Sequence, residues 1–172
     1  MRAGTVLIVG AVALLGIAMC SQGRAETREV GSINYNWHML GSDDRIVVSA
    51  VNDPKIEGVV CYWSAARIGG VKGAVGLATD PNEASLACRQ VGPIKFLHTF
   101  GQTENIAKTS QNWTGFKTMQ VVRMCDAVSN TLVYTVYSDN LVSGHPQNSI
   151  SAVPIQPWGG ATDVTACRNF LK

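Results

Sequence analysis

Four cysteines, Cys61, Cys88, Cys125 and Cys167, lie far apart in a chain that opens with a secretory-type leader. That combination restricts the fold more than any other feature of the sequence. An exported chain enters an oxidising compartment, where an even set of cysteines is expected to pair. No C-x-x-C occurs among them, so neither a redox motif nor a zinc knuckle is indicated. The spacing alone leaves three connectivities open. We take the sequential one, Cys61 with Cys88 and Cys125 with Cys167.

The leader reads MRAGTVLIVGAVALLGIAMCSQGRA: Arg2, an apolar run from Thr5 to Met19, then small and polar residues. This is the order of a signal peptide, and the run is shorter than the roughly 20 apolar residues of a spanning helix. Gly23 and Ala25 are the small residues that a cut after Ala25 requires. Residues 1–25 are therefore expected to leave, and 26–172 to form the mature chain, with no membrane span. Lipidation of Cys20 is the alternative, although Met19 suits the small pocket of the lipoprotein peptidase poorly. The cut removes Arg2 and Arg24 from 14 basic residues and leaves the 12 acidic ones untouched, so the mature chain is neutral. A neutral chain without clustered Lys and Arg lacks the footprint of a nucleic-acid binder and a polybasic membrane patch. Small molecules or envelope proteins are the expected partners. The length suits one domain with one core.

Strand signals dominate the mature chain. RIVVSAV (45–51) and GVVCYWS (58–64) are rich in β-branched and aromatic residues and flank a turn. FKTMQVVRMC (116–125) and TLVYTVYS (131–138) form a hairpin around DAVSN. SISAVPI (149–155) reads as an edge strand or a strand end because of Pro154, and QVGPIKFLHTF (90–100) as a further strand. One helix is expected in DPNEASLAC (80–88), with Asp80 as N-cap, Pro81 at the first position and Glu83 completing a capping box. The resulting fold class is α+β: a predominantly antiparallel β-sheet with one or two short helices, stapled by disulfides. The glycine-rich stretch GGVKGAVG (69–76) lacks the Gly-Lys-Ser/Thr of a phosphate loop, and its glycines do not make G-x-G-x-x-G. It reads as a tight turn with close backbone contact.

No constellation for catalysis stands out. G-x-S-x-G and H-E-x-x-H are absent, and His38, His98 and His145 lack metal-ligand spacing. No cofactor or metal is expected. Asp126, Asp139 and His145 are the acid–base candidates, but each occupies an ordinary turn or loop position. Tyr62, Trp63, Trp113, Tyr134, Tyr137 and Trp158 could line a pocket or an interface. Strand periodicity sends Tyr62 and Trp63 to opposite faces, and Tyr134 and Tyr137 likewise. Most of these rings belong in a core, while Trp158, bracketed by Pro157 and Gly159, is expected at the surface.

Several blocks follow one another between Glu29 and Trp158: EVGSI, VNDPKIEGVVCYWSAARIGGVKGAVGLATDPNEASLACRQVGPI, MQVVRMCD, LVYTVYSD and NSISAVPIQPW. In them the chain resembles the CreA family, also called catabolite regulation protein A. The resemblance implies a small exported, periplasmic protein of gram-negative bacteria, and it carries over no catalytic residue. It implies Cys61 and Cys88 as the recurrent cysteine pair of the family, in line with the sequential pairing. The chain departs from the family pattern at Cys125 and in the tail GGATDVTACRNFLK (159–172), a C-terminal extension of the single CreA-like domain. An extra cysteine in each place suits a private bridge between Cys125 and Cys167. If that bridge merely tethers a tail, its loss costs less than loss of Cys61–Cys88. Two functions follow: a non-catalytic binder of a small molecule or cell-envelope component, or an accessory protein docking on another periplasmic or membrane protein. The first requires a closed apolar pocket and the second an exposed apolar patch.

Overall fold

A computed structural model describes residues 25, 27–70, 84–110, 117–140 and 147–172. Two antiparallel meanders follow one another in the chain. The first contains β1 (Thr27–Asn36), β2 (Asp44–Asn52), β3 (Ile56–Arg67) and β4 (Ala84–Phe96), side by side in that order. The second contains β5 (Thr103–Ser110), β6 (Lys117–Asp126), β7 (Thr131–Asn140) and β8 (Asn148–Pro154), again in chain order. The β6–β7 hairpin forms where the sequence places it. The Asp126 carboxylate accepts N–H groups from Val128 at 3.0 Å and Ser129 at 3.3 Å, and Asn130 takes the left-handed conformation at φ 47°. Asn is among the few non-glycine residues that tolerate it.

The expected α+β class is corrected to a mostly antiparallel β fold. The complete helical segment among the described residues is a single 3₁₀ turn, Cys167–Phe170. Of the helix expected over 80–88, Ala84–Cys88 is strand at the start of β4, while Asp80, Pro81 and Glu83 lie outside the described residues. Burial decides the matter: Leu86 and Cys88 turn inward while Ser85 and Ala87 face solvent, a period of two. Cys88 also stands directly opposite Cys61 on β3, which only a neighbouring strand allows. A capping signal worth about 1 kcal/mol cannot outweigh a buried strand register.

Both sheets contribute to one core. Val51, Ile56, Val59 and Trp63 come from the first, and Ile106, Met119, Val121, Leu132 and Val136 from the second. The sheets meet along β4 and β8. There the N–H groups of Leu86 and Cys88 donate to the hydroxyls of Ser149 and Ser151 at 3.2 and 2.8 Å. The Cys88 N–H thus points away from β3, so Cys61 and Cys88 form a non-hydrogen-bonded pair, the closer of the two antiparallel spacings. Their Cα atoms are 4.0 Å apart and their sulfurs lie at bonding distance, 2.06 Å. The sulfurs of Cys125 and Cys167 lie 2.02 Å apart, joining β6 to the 3₁₀ turn.

The tail is packed rather than loose. Cys167 is fully buried, and the Phe170 ring stacks on Phe96 with centroids 4.4 Å apart. Phe100 donates its N–H to Phe170 O at 2.9 Å and accepts the Lys172 N–H at 3.0 Å, closing a parallel bridge with Leu171. The expectation of a smaller cost for losing Cys167 rested on a free tail, and this packing removes its basis.

Candidate functional site

The most unusual chemistry of the surface lies on β1 and the loop after it. From Val30 to Gly41 the chain has no Lys, Arg, Asp, Glu or Pro. Within that stretch Asn34, Asn36 and His38 alternate with Ile33, Tyr35, Trp37 and Met39. An ordinary amphipathic strand turns its apolar residues toward the core. Here the polar residues are tied down and the apolar ones face water: Trp37 is 72% exposed, Met39 84% and Leu40 70%. Val30, Ile33 and Tyr35 continue the same apolar ridge along β1.

Two aspartates at the start of β2 hold the polar side. Asn36 Nδ2 donates to Asp44 Oδ2 at 2.8 Å, and His38 Nε2 lies 2.7 Å from Asp44 Oδ1. The Gly69 N–H donates to the same Asp44 Oδ1 at 2.7 Å. The hydrogen bond from Asn36, then those from Gly69 and His38, hold the Asp44 carboxyl below its ordinary range. Asp43 accepts the His38 N–H at 3.0 Å and Asn34 Nδ2 at 3.3 Å. The carboxylates thus take over the polar groups of the loop, so that Trp37, Met39 and Leu40 are presented from a fixed backbone.

The glycine-rich stretch completes this anchor. Gly70 donates its N–H to Ser42 O at 2.6 Å from a φ of +65°. A Cβ on Gly69 would fall 1.8 Å from that same carbonyl oxygen. These two glycines make the close backbone contact that the sequence suggested, whereas Lys72, Gly73 and Gly76 lie outside the described residues. Gly69→Ala is expected to push Ser42 away and break the Gly69–Asp44 hydrogen bond, at a cost of about 1–3 kcal/mol. Urea unfolding measures the loss, and a variant as stable as the parent would show that the 41–43 loop moves freely.

A second polar centre is buried between the sheets. Arg123 on β6 is fully enclosed, and its Nη1 donates to both oxygens of Asp53, in the β2–β3 turn, at 2.5 and 2.7 Å. Its Nη2 donates to Glu104 on β5 at 2.7 Å, and Lys55 pairs with the other Glu104 oxygen. The Tyr134 hydroxyl donates to Asp53 at 3.0 Å, and the Phe100 ring lies 4.1 Å from the guanidinium carbon. Burial first, then the neighbouring Asp53 charge, pushes the Tyr134 phenol well above its usual value of 10.0. For Glu104, burial raises the pKa, but the Lys55 hydrogen bond and the charges of Arg123 and Lys55 outweigh it and leave a net lowering. Arg123 Nε is buried with no hydrogen-bond partner among the described residues, but the other groups of the cluster satisfy one another and hold the first sheet to the second, so the arrangement is a lock.

Of the acid–base candidates, Asp126 is the one whose side chain is described. Asp126 caps its own turn, where hydrogen bonds from Ser129 and Val128 lower its pKa. His145 and the Asp139 side chain lie outside the described residues. Trp63 and Tyr134 are core residues, Tyr62 is exposed on the opposite face of β3 from Trp63, and Trp158 is exposed as its loop position suggested. Tyr137 is half-buried, and Trp113 lies outside the described residues. An open cleft of about 430 Å³ is lined by Ile46, Ser64, Ala66, Ser85, Gln147, Asn148 and neighbouring alanines, with no charged group among its described lining residues. No set of three or more potential metal ligands clusters among the described residues. Sequence reading passed over Tyr35, Trp37, Met39 and Leu40. The signal was present in the uncharged Val30–Gly41 stretch, with its alternating amides and rings.

The chain matches the family model for CreA protein over residues 30–158. It is 44% identical over 138 residues to Protein CreA of Escherichia coli K12, covering 78% of this chain and 87% of that one. Identity and coverage are the same against Protein CreA of E. coli O157:H7. No solved structure matches it. The ridge, the lock and the Cys61–Cys88 pair all lie within the matched region, and the chain belongs to the CreA family.

Proposed function

We propose that this CreA protein is exported to the periplasm, loses its leader, and acts there without catalysis as an accessory protein docking on another envelope protein. The apolar ridge carries this reading. A contiguous, exposed apolar surface on a soluble chain marks an interaction site, and Trp, Tyr and Met are enriched at interface centres. The fixed backbone supports it too, because a preorganised loop loses little entropy on binding. A small-molecule binder has less support: the cleft beside Ile46 and Ser64 is open, and its described lining residues include no charged group to orient a ligand.

Cross-linking tests the docking reading. A photoreactive residue in place of Met39 is expected to capture one envelope protein in living cells, and the same residue in place of Val128, at the β6–β7 turn, is not. That captured protein, once purified, should bind the parent chain and lose about 30-fold in affinity for Trp37→Ala, as befits a buried aromatic anchor. The substitution should change folding stability by less than about 0.5 kcal/mol, because the ring is exposed. Unchanged affinity for Trp37→Ala would sink the docking reading.

A further inference from the structure

Nearly every cation among the described residues is either paired or in open solvent. Arg123 pairs with Asp53 and Glu104, Lys55 with Glu104, and Lys95 with Glu57. Arg28, Arg89, Lys108, Arg168 and Lys172 are exposed. Arg45 on β2 and Arg67 on β3 are neither. They stand directly opposite each other, and both are half-buried. Neither guanidinium has a hydrogen bond or an ion pair among the described residues. The β2–β3 register has no bulge, so the two arginines extend the buried rows of Val51, Ser49 and Val47 on β2 and Cys61, Trp63 and Ala65 on β3. The pair therefore lies on the core-facing side of the first sheet, at its end. The N–H groups of Leu86 and Cys88 point away from β3, so those of Trp63 and Cys61 point toward β2. Alternate pairs from there to Arg45 and Arg67 are of the hydrogen-bonded kind, with Cα atoms about 5.5 Å apart.

Two cations opposite each other on one face destabilise a strand pair, and half-burial removes part of the water that would screen them. Asn34 is the β1 neighbour of Arg45, and the carboxylate it binds is Asp43. Asp43 is taken up by that amide and by the His38 N–H, and it pairs with neither arginine. No described residue of β4 stands opposite Arg67, because the β3–β4 register ends at Ala65 and Ala84. We propose that Arg45 and Arg67 together bind a phosphoryl dianion, either free phosphate or the terminal phosphate of a larger molecule. Charge decides against a carboxylate: it would neutralise one guanidinium of the two, and a single arginine fork already engages both its oxygens. A phosphate monoester carries about 1.5–2 negative charges near neutral pH and three acceptor oxygens, which matches two forks on one face. This inference does not rest on the docking reading, since Ile33 and Ile46 of the ridge side point to the other face of the sheet.

Calorimetric titration of the mature protein with inorganic phosphate, against chloride at equal ionic strength, is expected to show one phosphate bound per chain. Arg45→Gln and Arg67→Gln should each weaken that binding about 10-fold or more, the loss of a charge-assisted hydrogen-bonding partner. Each should melt no lower than the parent, since the repulsion between the two cations is gone. The two variants test one site, so either suffices if the other folds poorly. Arg28→Gln removes an exposed arginine opposite Ala50 and should bind phosphate as the parent does. Co-sedimentation with phosphatidylcholine vesicles, with and without phosphatidic acid, identifies the source. Capture by the acidic vesicles that free phosphate competes away, and that Arg67→Gln loses, points to a lipid headgroup. A phosphate response without capture points to a soluble ligand. A parent protein that takes up neither phosphate nor the acidic vesicles overturns the proposal, as does binding that Arg45→Gln and Arg67→Gln leave unchanged.

Discussion

Arg123→Met is expected to destabilise the fold by about 3–5 kcal/mol, the cost of removing one partner from a buried ion pair. Asp53 would keep its charge between the sheets with only the Tyr134 hydroxyl and the Lys55 N–H to satisfy it. Phe100 would also lose its guanidinium contact. Methionine fills much of the vacated volume, so the loss reports on charge more than on a cavity. Adding Asp53→Asn should restore part of the stability, because the uncompensated charge is then gone while the amide still accepts hydrogen bonds. Guanidinium unfolding of the single and double variants separates the two contributions. A single-variant loss below about 1 kcal/mol would mean that water reaches Asp53 and that the lock is weak. The same centre gives a pH dependence. Glu104 is held below its ordinary 4.5, so its contribution is complete at neutral pH and is lost as the pH falls through its lowered value. Acid unfolding of Glu104→Gln should therefore show a shallower dependence on pH than the parent.

Cys88→Ser is expected to cost about 3.5 kcal/mol in non-reducing buffer, from freeing a loop with a sequence separation of 27. The fully buried site adds to this, since a serine hydroxyl there has no guaranteed partner. Cys167→Ser is expected to cost as much, about 4 kcal/mol for a separation of 42. Reading the tail as an extension suggested a smaller effect. The stacking of Phe170 on Phe96 and the bridge between Phe100 and Leu171 raise it, because release of Cys167 also loosens part of the core. Thermal unfolding of the two variants side by side makes the comparison. A Cys167→Ser variant that melts close to the parent would show that the tail holds without its bridge, and an unaltered Cys88→Ser would show that Cys61–Cys88 does not form.

Strands with strong local signals were legible without coordinates. β2, β3 and the β6–β7 hairpin combine β-branched runs with turn residues, and Pro154 marked the end of β8. β5 escaped notice because TENIAKTS is mostly polar: Glu104 serves the lock, and only Ile106 and Ala107 are apolar and buried. β1 escaped because its pattern is inverted, with asparagines and a histidine held by Asp43 and Asp44 and the apolar side chains in water. Ala84–Cys88 was misread as helix because a local capping pattern was weighed without the burial of Leu86 and Cys88.

By itself, then, the sequence determined the β-rich class, the family and the hairpins, since each depends on residues near one another in the chain. Asp53, Glu104, Arg123 and Tyr134 come from four separate parts of it and become one lock only when two sheets close on them. The exposure of Trp37, Met39 and Leu40 was likewise decided by tertiary structure. Only there do Gly69, just past the end of β3, and Asp44, at the start of β2, satisfy the polar side of the loop and leave its apolar side to water.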